Sequence, residues 1–177
     1  MPESLTSRGA PPVPSCAALR TSILAARDER QARLDALFPA AFPATLMLSL
    51  NLPGELKGGE RASRLYGWGE KLLIAALPVL PLLCGSDALG PYGIFHIALD
   101  AVDTKRMAME LESGHPAGRL LDLDVFDDAG RQVDRSSLGL APRPCLLCPE
   151  PALACIRTQR HSSLALQAEA ERVIDAL

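Results

Sequence analysis

The chain has 177 residues, a length that fits one compact domain and leaves little room for two complete hydrophobic cores. Hydrophobic residues make up 48% of the chain and charged residues 22%, which excludes wholesale disorder. With 18 Lys and Arg against 21 Asp and Glu the net charge is −3, so binding of nucleic acid through bulk positive charge is excluded.

The N-terminal region divides into a polar arm and a helix. Residues 1–14 are rich in Pro, Ser and Gly and lack the pattern of a secretory signal, which predicts a flexible arm and a cytoplasmic protein. Ser15 is suited to cap a helix that extends to about Phe38. The charge run at residues 27–33 predicts a solvated face of this helix, and a place that holds an anion is the alternative.

Residues 45–134 show alternating strand and helix patterns. Strict alternation over residues 45–52 predicts a half-buried strand. The patterns that follow predict, in order, helix 60–77, strand 79–84, strand 93–100, helix 104–113 capped by Asp103, strand 120–126, hairpin strand 131–134 and, in the tail, helix 162–176. The apolar stretch 72–84 is too short to span a bilayer and contains two prolines, so we expect no transmembrane segment.

This order of elements predicts an α+β fold. Residues 45–134 follow the βαββαβ order of the ferredoxin-like fold, with both helices on one face of the sheet and the other face open. We predict a single domain over residues 15–177 that adds the N-terminal helix and a Cys-containing helical tail over residues 145–177. The polar residues expected on the open face are Ser49, Asn51, His96, Asp122 and Asp124.

Two aspartates are the clearest candidates for chemistry. Asp122 and Asp124 stand two apart on a predicted strand, so both carboxylates leave the same face. Such charges repel unless they are solvated, one is protonated, or a divalent cation lies between them, and Mg²⁺ suits carboxylate and phosphate oxygens. The pair therefore indicates Mg²⁺-assisted phosphoryl or nucleotidyl transfer, with solubilising surface aspartates as the simpler alternative.

Nearby basic and polar residues are candidates for phosphate binding. Lys57 lies in a Gly-rich loop that is expected to open a helix, where backbone amides and a cation suit phosphate oxygens. Arg119 precedes the strand of the two aspartates, and Arg135 and Arg143 follow the hairpin. Asn51 is a further candidate for substrate binding. Ordinary turns and solvated loops are the alternative for the basic residues.

Four potential metal ligands lie close together in the tail. Cys145, Cys148, Cys155 and His161 form the Cys₃His type of set used by structural zinc, and the first C-x-x-C spacing suits a knuckle. The later spacings are tight for a zinc module. A redox C-x-x-C and reduced thiols packed in the tail are therefore open alternatives to zinc.

Several separated motifs together resemble one family. They are RDERQAR at 27–33, PG at 53–54 with Lys57, ELE at 110–112 with HP at 115–116, GRLLDLDV at 118–125, LGL at 138–140, RPCLLC at 143–148 and CIR at 155–157. With these motifs the chain resembles the apo-citrate lyase phosphoribosyl-dephospho-CoA transferases, also called holo-citrate lyase synthases. The resemblance covers nearly the whole chain after the arm.

The resemblance implies a nucleotidyltransferase. It would move the prosthetic group from 2′-(5″-triphosphoribosyl)-3′-dephospho-CoA to a serine of the acyl carrier (gamma) subunit of citrate lyase and release pyrophosphate. Asp122 and Asp124 would hold Mg²⁺ as catalytic residues, while Lys57, Arg119 and Arg135 would steady the triphosphate by their charge and position.

Two other functions remain alternatives to the transferase. The first is a non-catalytic protein-binding adaptor with a structural zinc tail. The second, a zinc-dependent nucleic-acid binder, is the least favoured, because aromatic residues make up only 4% of the chain and the net charge is negative.

Overall fold

A computed structural model describes residues 16–54 and 57–177, and the predicted arm at 1–14 and the predicted cap Ser15 lie outside the described residues. The described part is an α+β fold with five α-helices and five strands. In chain order the elements are α1 (Cys16–Asp35), β1 (Ala44–Leu50), α2 (Glu60–Ala76), β2 (Val79–Asp87), β3 (Gly90–Ile97), α3 (Ala101–Ser113), a 3₁₀ turn (Pro116–Leu120), β4 (Leu121–Asp127), β5 (Gln132–Val133), α4 (Ala152–Arg157) and α5 (Ser163–Asp175).

The strands form one antiparallel sheet in the order β2-β3-β1-β4-β5. The central strand β1 pairs with β3 on one side and with β4 on the other. In the register with β4, Ser49 lies opposite Asp122 and Met47 lies opposite Asp124. The outer strand β5 is only two residues long and pairs with Val125 and Phe126, so most of the outer edge of β4 is free of strand partners.

One face of the sheet carries the main hydrophobic core. The leucines of β1 at positions 46, 48 and 50 are buried there together with the alternate residues of β4. Helices α2 and α3 cover this face, as the amphipathic pattern of their sequences predicts. Val173 and Ile174 of α5 belong to the same core, so the C-terminal helix packs directly against it.

The opposite face is not open along its whole length, which corrects the prediction. Leu34 of α1 packs against Ile94 and Phe126 on this face, with Met47 partly buried beside them. Strand β1 is consequently buried on both faces instead of one. The physical reason is that burying the apolar side chains on this face away from water is favourable, and the N-terminal helix covers them.

Arg30 anchors α1 to the β2–β3 hairpin. Its guanidinium donates to both carboxylate oxygens of Asp87, at 2.6 and 2.8 Å, and to the Gly90 carbonyl at 2.7 Å. It also lies over the Tyr92 ring, 4.2 Å from the centroid. One residue of the predicted charge run is therefore buried against the sheet and not solvated.

Several element boundaries differ from the prediction: α1 ends at Asp35 and not near Phe38, and β3 spans Gly90–Ile97 where residues 93–100 were predicted. Helix α3 begins earlier than expected because Asp100, and not Asp103, caps it: its carboxylate accepts from the amides of Val102 and Asp103 at 3.0 Å. Strand β2 extends to Asp87, and the short helix α4 has no counterpart among the predicted elements. None of the helices in the described ranges is both long and apolar enough to cross a membrane.

Candidate active site

Asp122 and Asp124 lie together in a pocket between the sheet and α1. Both are on β4, and their side chains leave the face opposite the main core, as the alternation predicts. The pocket has a volume of about 500 Å³, and we refer to it as the aspartate pocket. Its walls are formed by Ile23, Leu24, Arg27, Arg30, Gln31 and Leu34 of α1, by Met47, Ser49 and Leu50 of β1, and by Leu89, Phe126 and Gln132.

The two carboxylates have few partners that would offset their charge. Asp124 accepts one hydrogen bond, from the Gln132 side chain at 2.7 Å, and Asp122 lies 3.6 Å from the Arg143 guanidinium. Desolvation raises the pKa of both carboxyls above the ordinary value. For Asp124, desolvation and then the charge of Asp122 raise the pKa to about 6. An additional cation in this pocket would stabilise both ionised groups.

A buried glutamate holds two arginines beside the aspartate pair. Glu112 on α3 is 2% exposed, and its carboxylate forms an ion pair with Arg143 at 2.5 Å and accepts a hydrogen bond from Arg135 at 2.7 Å. The same carboxylate accepts from the Leu123 amide at 3.1 Å, between the two aspartates along the chain. Glu112 thereby fixes the position of Arg143 relative to Asp122. Glu112 was not among the site residues predicted from the sequence.

Further charged side chains bind the backbone of β4 along its outer edge. Arg143 donates to the Leu121 carbonyl at 3.1 Å, and the buried Lys105 donates to the Leu123 carbonyl at 2.7 Å. Together with Glu112 they bind backbone groups that the short β5 leaves without a strand partner. The strand that carries the aspartates is thus held rigidly from its side.

Arg27 belongs to the charge run for which the sequence left open a solvated face or a place that holds an anion. It lies in the part of α1 that lines the aspartate pocket and is exposed. Within the described residues no hydrogen bond or ion pair is recorded for its guanidinium, in contrast to Arg30, which is bound to Asp87. Arg27 is therefore available to an anion in the pocket, the alternative that the charge run left open.

A second pocket of about 620 Å³ lies next to the first, beside the C-terminal tail. We call it the tail pocket. It is lined by Asn51, Pro53, Gly54, Arg119, Leu120, Arg143, Pro144, Cys145, Leu146, Ala152, Cys155, Ile156, Gln159, His161, Ser162, Ser163 and Leu166. Arg143 connects the pockets, because it lines this one and lies beside Asp122 of the other.

The predicted substrate-binding residues are therefore divided. Asn51 lies past the end of β1, and it lines the tail pocket with Arg119 instead of lying beside the aspartates. Arg119 donates to the Pro144 carbonyl, and its Nε is buried without a partner among the described residues. Burial, and then the nearby charge of Arg143, lower the pKa of Arg119.

Lys57 and Arg135 line neither of the two pockets. The Lys57 ammonium donates to the Leu52 carbonyl at 2.5 Å, and burial lowers its pKa. Arg135 is bound to Glu112. His96 alternates with the core residues Phe95 and Ile97 and so lies on the face opposite the main core, as predicted, but its ring is covered by Phe42, with 4.7 Å between the ring centroids.

The four potential metal ligands of the tail do come together. One ligand atom from each of Cys145, Cys148, Cys155 and His161 lies within 4.8 Å of all the others, and this group can hold a metal ion. We call it the Cys/His cluster. Burial and the neighbouring thiols of Cys148 and Cys145 raise the pKa of Cys155 to about 12. The Cys155 thiol thus resists ionisation in this environment.

Comparison with known proteins identifies the relatives of this chain. A family model described as apo-citrate lyase phosphoribosyl-dephospho-CoA transferase matches residues 19–177. The chain belongs to this family. A transferase of this name from Escherichia coli O1:K1 is 35% identical over 148 residues, which cover 78% of this chain and 79% of that protein. Another from Citrobacter koseri is 34% identical over 155 residues, covering 84% of this chain and 85% of its own length.

The family match includes all the site elements described above. Its range of 19–177 contains most of α1, the aspartates of β4, the arginines and the Cys/His cluster. The family resemblance stated from separated motifs is thereby confirmed.

Proposed function

We propose that this chain transfers the phosphoribosyl-dephospho-CoA group from 2′-(5″-triphosphoribosyl)-3′-dephospho-CoA to a serine of the acyl carrier (gamma) subunit of citrate lyase. The serine oxygen forms a bond to the phosphorus next to the ribose, and the bond to the leaving pyrophosphate breaks. Family membership supports the reaction. The observation that carries the assignment of the site is the pair of aspartates that share one pocket with arginine side chains.

The donor set of the aspartate pocket fits a magnesium ion. Asp122 and Asp124 offer the carboxylate oxygens that Mg²⁺ prefers, and their raised pKa values indicate negative charge that the protein leaves largely unneutralised. We propose these two residues as the catalytic pair and as the magnesium ligands. When bound there, Mg²⁺ would neutralise charge that develops on the phosphate oxygens during transfer.

The arginines around the pair supply charge complementary to a triphosphate. Arg27 reaches the aspartate pocket from α1, opposite β4. Arg143 approaches Asp122 from the side and is kept in place by Glu112. Guanidinium groups bind phosphate oxygens through two parallel hydrogen bonds, which orients the donor as well as attracting it. We therefore add Arg27 and Arg143 to the predicted substrate-binding residues.

The tail pocket is proposed as the place for the remainder of the donor. It adjoins the aspartate pocket at Arg143, and a bulky coenzyme fragment needs more room than a triphosphate. Asn51 and Arg119 are kept as substrate-binding residues in this pocket. The partnerless Nε of Arg119 supports this, because a buried donor without an acceptor is costly until a ligand binds it.

The contact of Lys57 and Arg135 with phosphate stays a prediction. Each is bound to a group of the protein, Lys57 to a carbonyl and Arg135 to Glu112, and would have to exchange that partner for the substrate. Arg135 also contributes to the position of Arg143 through their shared carboxylate. A cytoplasmic location likewise stays a prediction from the sequence.

We also infer that the central unit has a ferredoxin-like arrangement. The order β1-α2-β2-β3-α3-β4 and the strand order β2-β3-β1-β4 support it. In this arrangement β1 and β4 are neighbours, so the segment of β4 that carries the aspartates pairs with the central strand of the sheet.

Intact-mass measurement of the carrier subunit tests the function directly. The full chain is incubated with apo-carrier, the triphosphoribosyl donor and Mg²⁺, and the carrier is expected to gain the mass of the prosthetic group. Asp122→Asn and Asp124→Asn should each lower the transfer rate by about 100-fold or more, as loss of a charge that stabilises the transition state does.

Asp128→Asn is the matched control. Asp128 lies in the turn that follows β4, is exposed and lines neither pocket, so transfer should remain at the wild-type rate. Near-normal transfer in both pocket variants would refute the role of the pair. Stable binding of the carrier without any mass gain by the wild-type chain would instead favour the adaptor function.

A further inference from the structure

We propose that the Cys/His cluster is a structural zinc site that holds the C-terminal tail against the catalytic unit. The inference does not rest on the proposed transfer reaction, since the ligands and their geometry stand on their own. Neither of the two predicted magnesium ligands belongs to this cluster, which lies in a different part of the chain.

The distances within the cluster fit a tetrahedral metal. Four ligands at zinc–sulfur distances of about 2.3 Å place neighbouring sulfur atoms roughly 3.8 Å apart. The Cys148 and Cys155 sulfur atoms are 3.5 Å apart, and His161 Nε2 is 3.3 Å from the Cys148 sulfur. Thiolate and imidazole ligands in such a set favour zinc over the hard cations that the aspartate pocket suits.

Backbone contacts of the tail bring the four ligands together. The loop that carries Cys145 and Cys148 is closed where Pro144 bridges to Pro151, and the Cys145 amide donates to the Glu150 carbonyl at 2.7 Å. Cys155 follows on α4. The Arg160 amide donates back to the Cys155 carbonyl at 3.0 Å, which returns the chain so that His161 faces the thiols.

The burial of the cluster favours a metal over free reactive thiols. The side chains of Cys145 and Cys155 are buried, and the three cysteines of the cluster are free thiols. Reactive cysteines of a redox C-x-x-C motif are normally accessible to their partner. Cys148 and His161 are partly buried, and a set of three thiols and an imidazole with no exposed member matches a closed, four-coordinate structural site.

The position of the cluster indicates a structural role for the metal. Cys145 directly follows Arg143 and Pro144, which contact Asp122 and Arg119 respectively. The residues of α4 are too few to form an independently stable helix, and the tail between β5 and α5 contains little other regular structure. A bound zinc ion would fix this segment and with it the wall of the tail pocket.

Metal analysis of the full chain tests the proposal. The protein is purified under reducing conditions without added metal and its zinc content is measured by mass spectrometry. We expect about one zinc per chain, loss of that zinc in Cys148→Ser, and full retention in Cys84→Ser, because Cys84 is an exposed cysteine on β2 outside the cluster. Wild-type protein without zinc, or equal zinc in both variants, would overturn the proposal.

A second measurement avoids dependence on a variant that fails to fold. Zinc is removed from the wild-type chain with a chelator under reducing conditions and replaced with Co²⁺, which reports its ligands by absorption. Intense visible bands of a tetrahedral ion together with thiolate charge-transfer bands support the site. A spectrum of octahedral cobalt without thiolate bands would contradict it.

Discussion

The carboxylate of Glu112 lies 2.5 Å from the Arg143 guanidinium, deep between α3 and β4. Glu112 is almost completely buried, whereas the side chain of Arg143 is 19% exposed and extends from this anchor toward Asp122. The buried carboxylate of Glu112 thus fixes the position of the partly exposed Arg143 guanidinium.

Removing the charge of Glu112 should therefore destabilise the protein. Glu112→Gln leaves Arg135 and Arg143 without their shared anion, and breaking a buried ion pair costs about 3 to 5 kcal/mol. The free energy of unfolding in urea measures the loss. Glu110→Gln on the exposed side of α3 is the control and should change stability by less than about 0.5 kcal/mol. Equal stability of the two variants would contradict the central role of Glu112.

The contact between Arg30 and Asp87 predicts a pH dependence of stability. Desolvation opposes ionisation of Asp87, but the hydrogen bonds from Arg30 and the Leu89 amide outweigh it and lower its pKa. The native state then binds fewer protons than the unfolded state, so this contribution is present above the unfolded pKa and is lost as the pH falls through the folded pKa.

Asp87→Asn should consequently destabilise the protein at pH 7 and much less at pH 3. Urea unfolding of wild type and variant at the two pH values measures the difference. Asp28→Asn, an exposed position on the same helix as Arg30, should show no such dependence. A destabilisation by Asp87→Asn that is the same at both pH values would show that the ion pair contributes nothing.

Arg27 should affect the donor and not the fold. Arg27→Gln removes one guanidinium from the aspartate pocket, and loss of a charge-assisted hydrogen bond corresponds to about tenfold or more in kcat/KM for the triphosphate donor. Arg33→Gln is the matched control, since Arg33 lies on the exposed side of α1 and pairs with Glu29. Wild-type kcat/KM in Arg27→Gln would remove Arg27 from the proposed site.

Two glycines of α2 should respond oppositely to the same substitution. A Cβ atom at Gly69 would lie 2.7 Å from the Leu121 side chain, whereas one at Gly67 would meet nothing within 4 Å. Gly67→Ala should stabilise the protein by about 1 kcal/mol, and Gly69→Ala should destabilise it by roughly 1 to 3 kcal/mol through overpacking. Thermal unfolding of both variants tests the prediction, and stabilisation by Gly69→Ala would show that α2 can move away from β4.

Local periodicity predicted most of the elements but not the contacts between distant segments. The alternation in β4 correctly placed Asp122 and Asp124 on one face, because side-chain direction along a strand follows from spacing alone. The position of α1 did not follow from its own pattern. Its apolar residues are sparse, and the cover over Ile94 and Phe126 depends on how a separate segment packs back on the sheet.

The environment of the aspartates likewise depends on contacts between distant segments, which local periodicity does not predict. Glu112 carries the same charge as the exposed Asp103 and Glu110 of its helix, and its burial depends on partners 11 to 31 residues away in sequence, such as Leu123 and Arg143. The Cys/His cluster was easier to anticipate, since its ligands are close in sequence and their type is unusual. Ion pairs between residues far apart in the chain leave no comparable pattern in the sequence.

The charged side chains along the outer edge of β4 have one more consequence. Lys105, Glu112 and Arg143 saturate backbone groups that an added strand from a second molecule would need. Edge-to-edge association through this side of the sheet is thereby prevented. The aspartates of β4 thus stay accessible to a partner's side chain, while the backbone of that partner cannot extend the sheet at this edge.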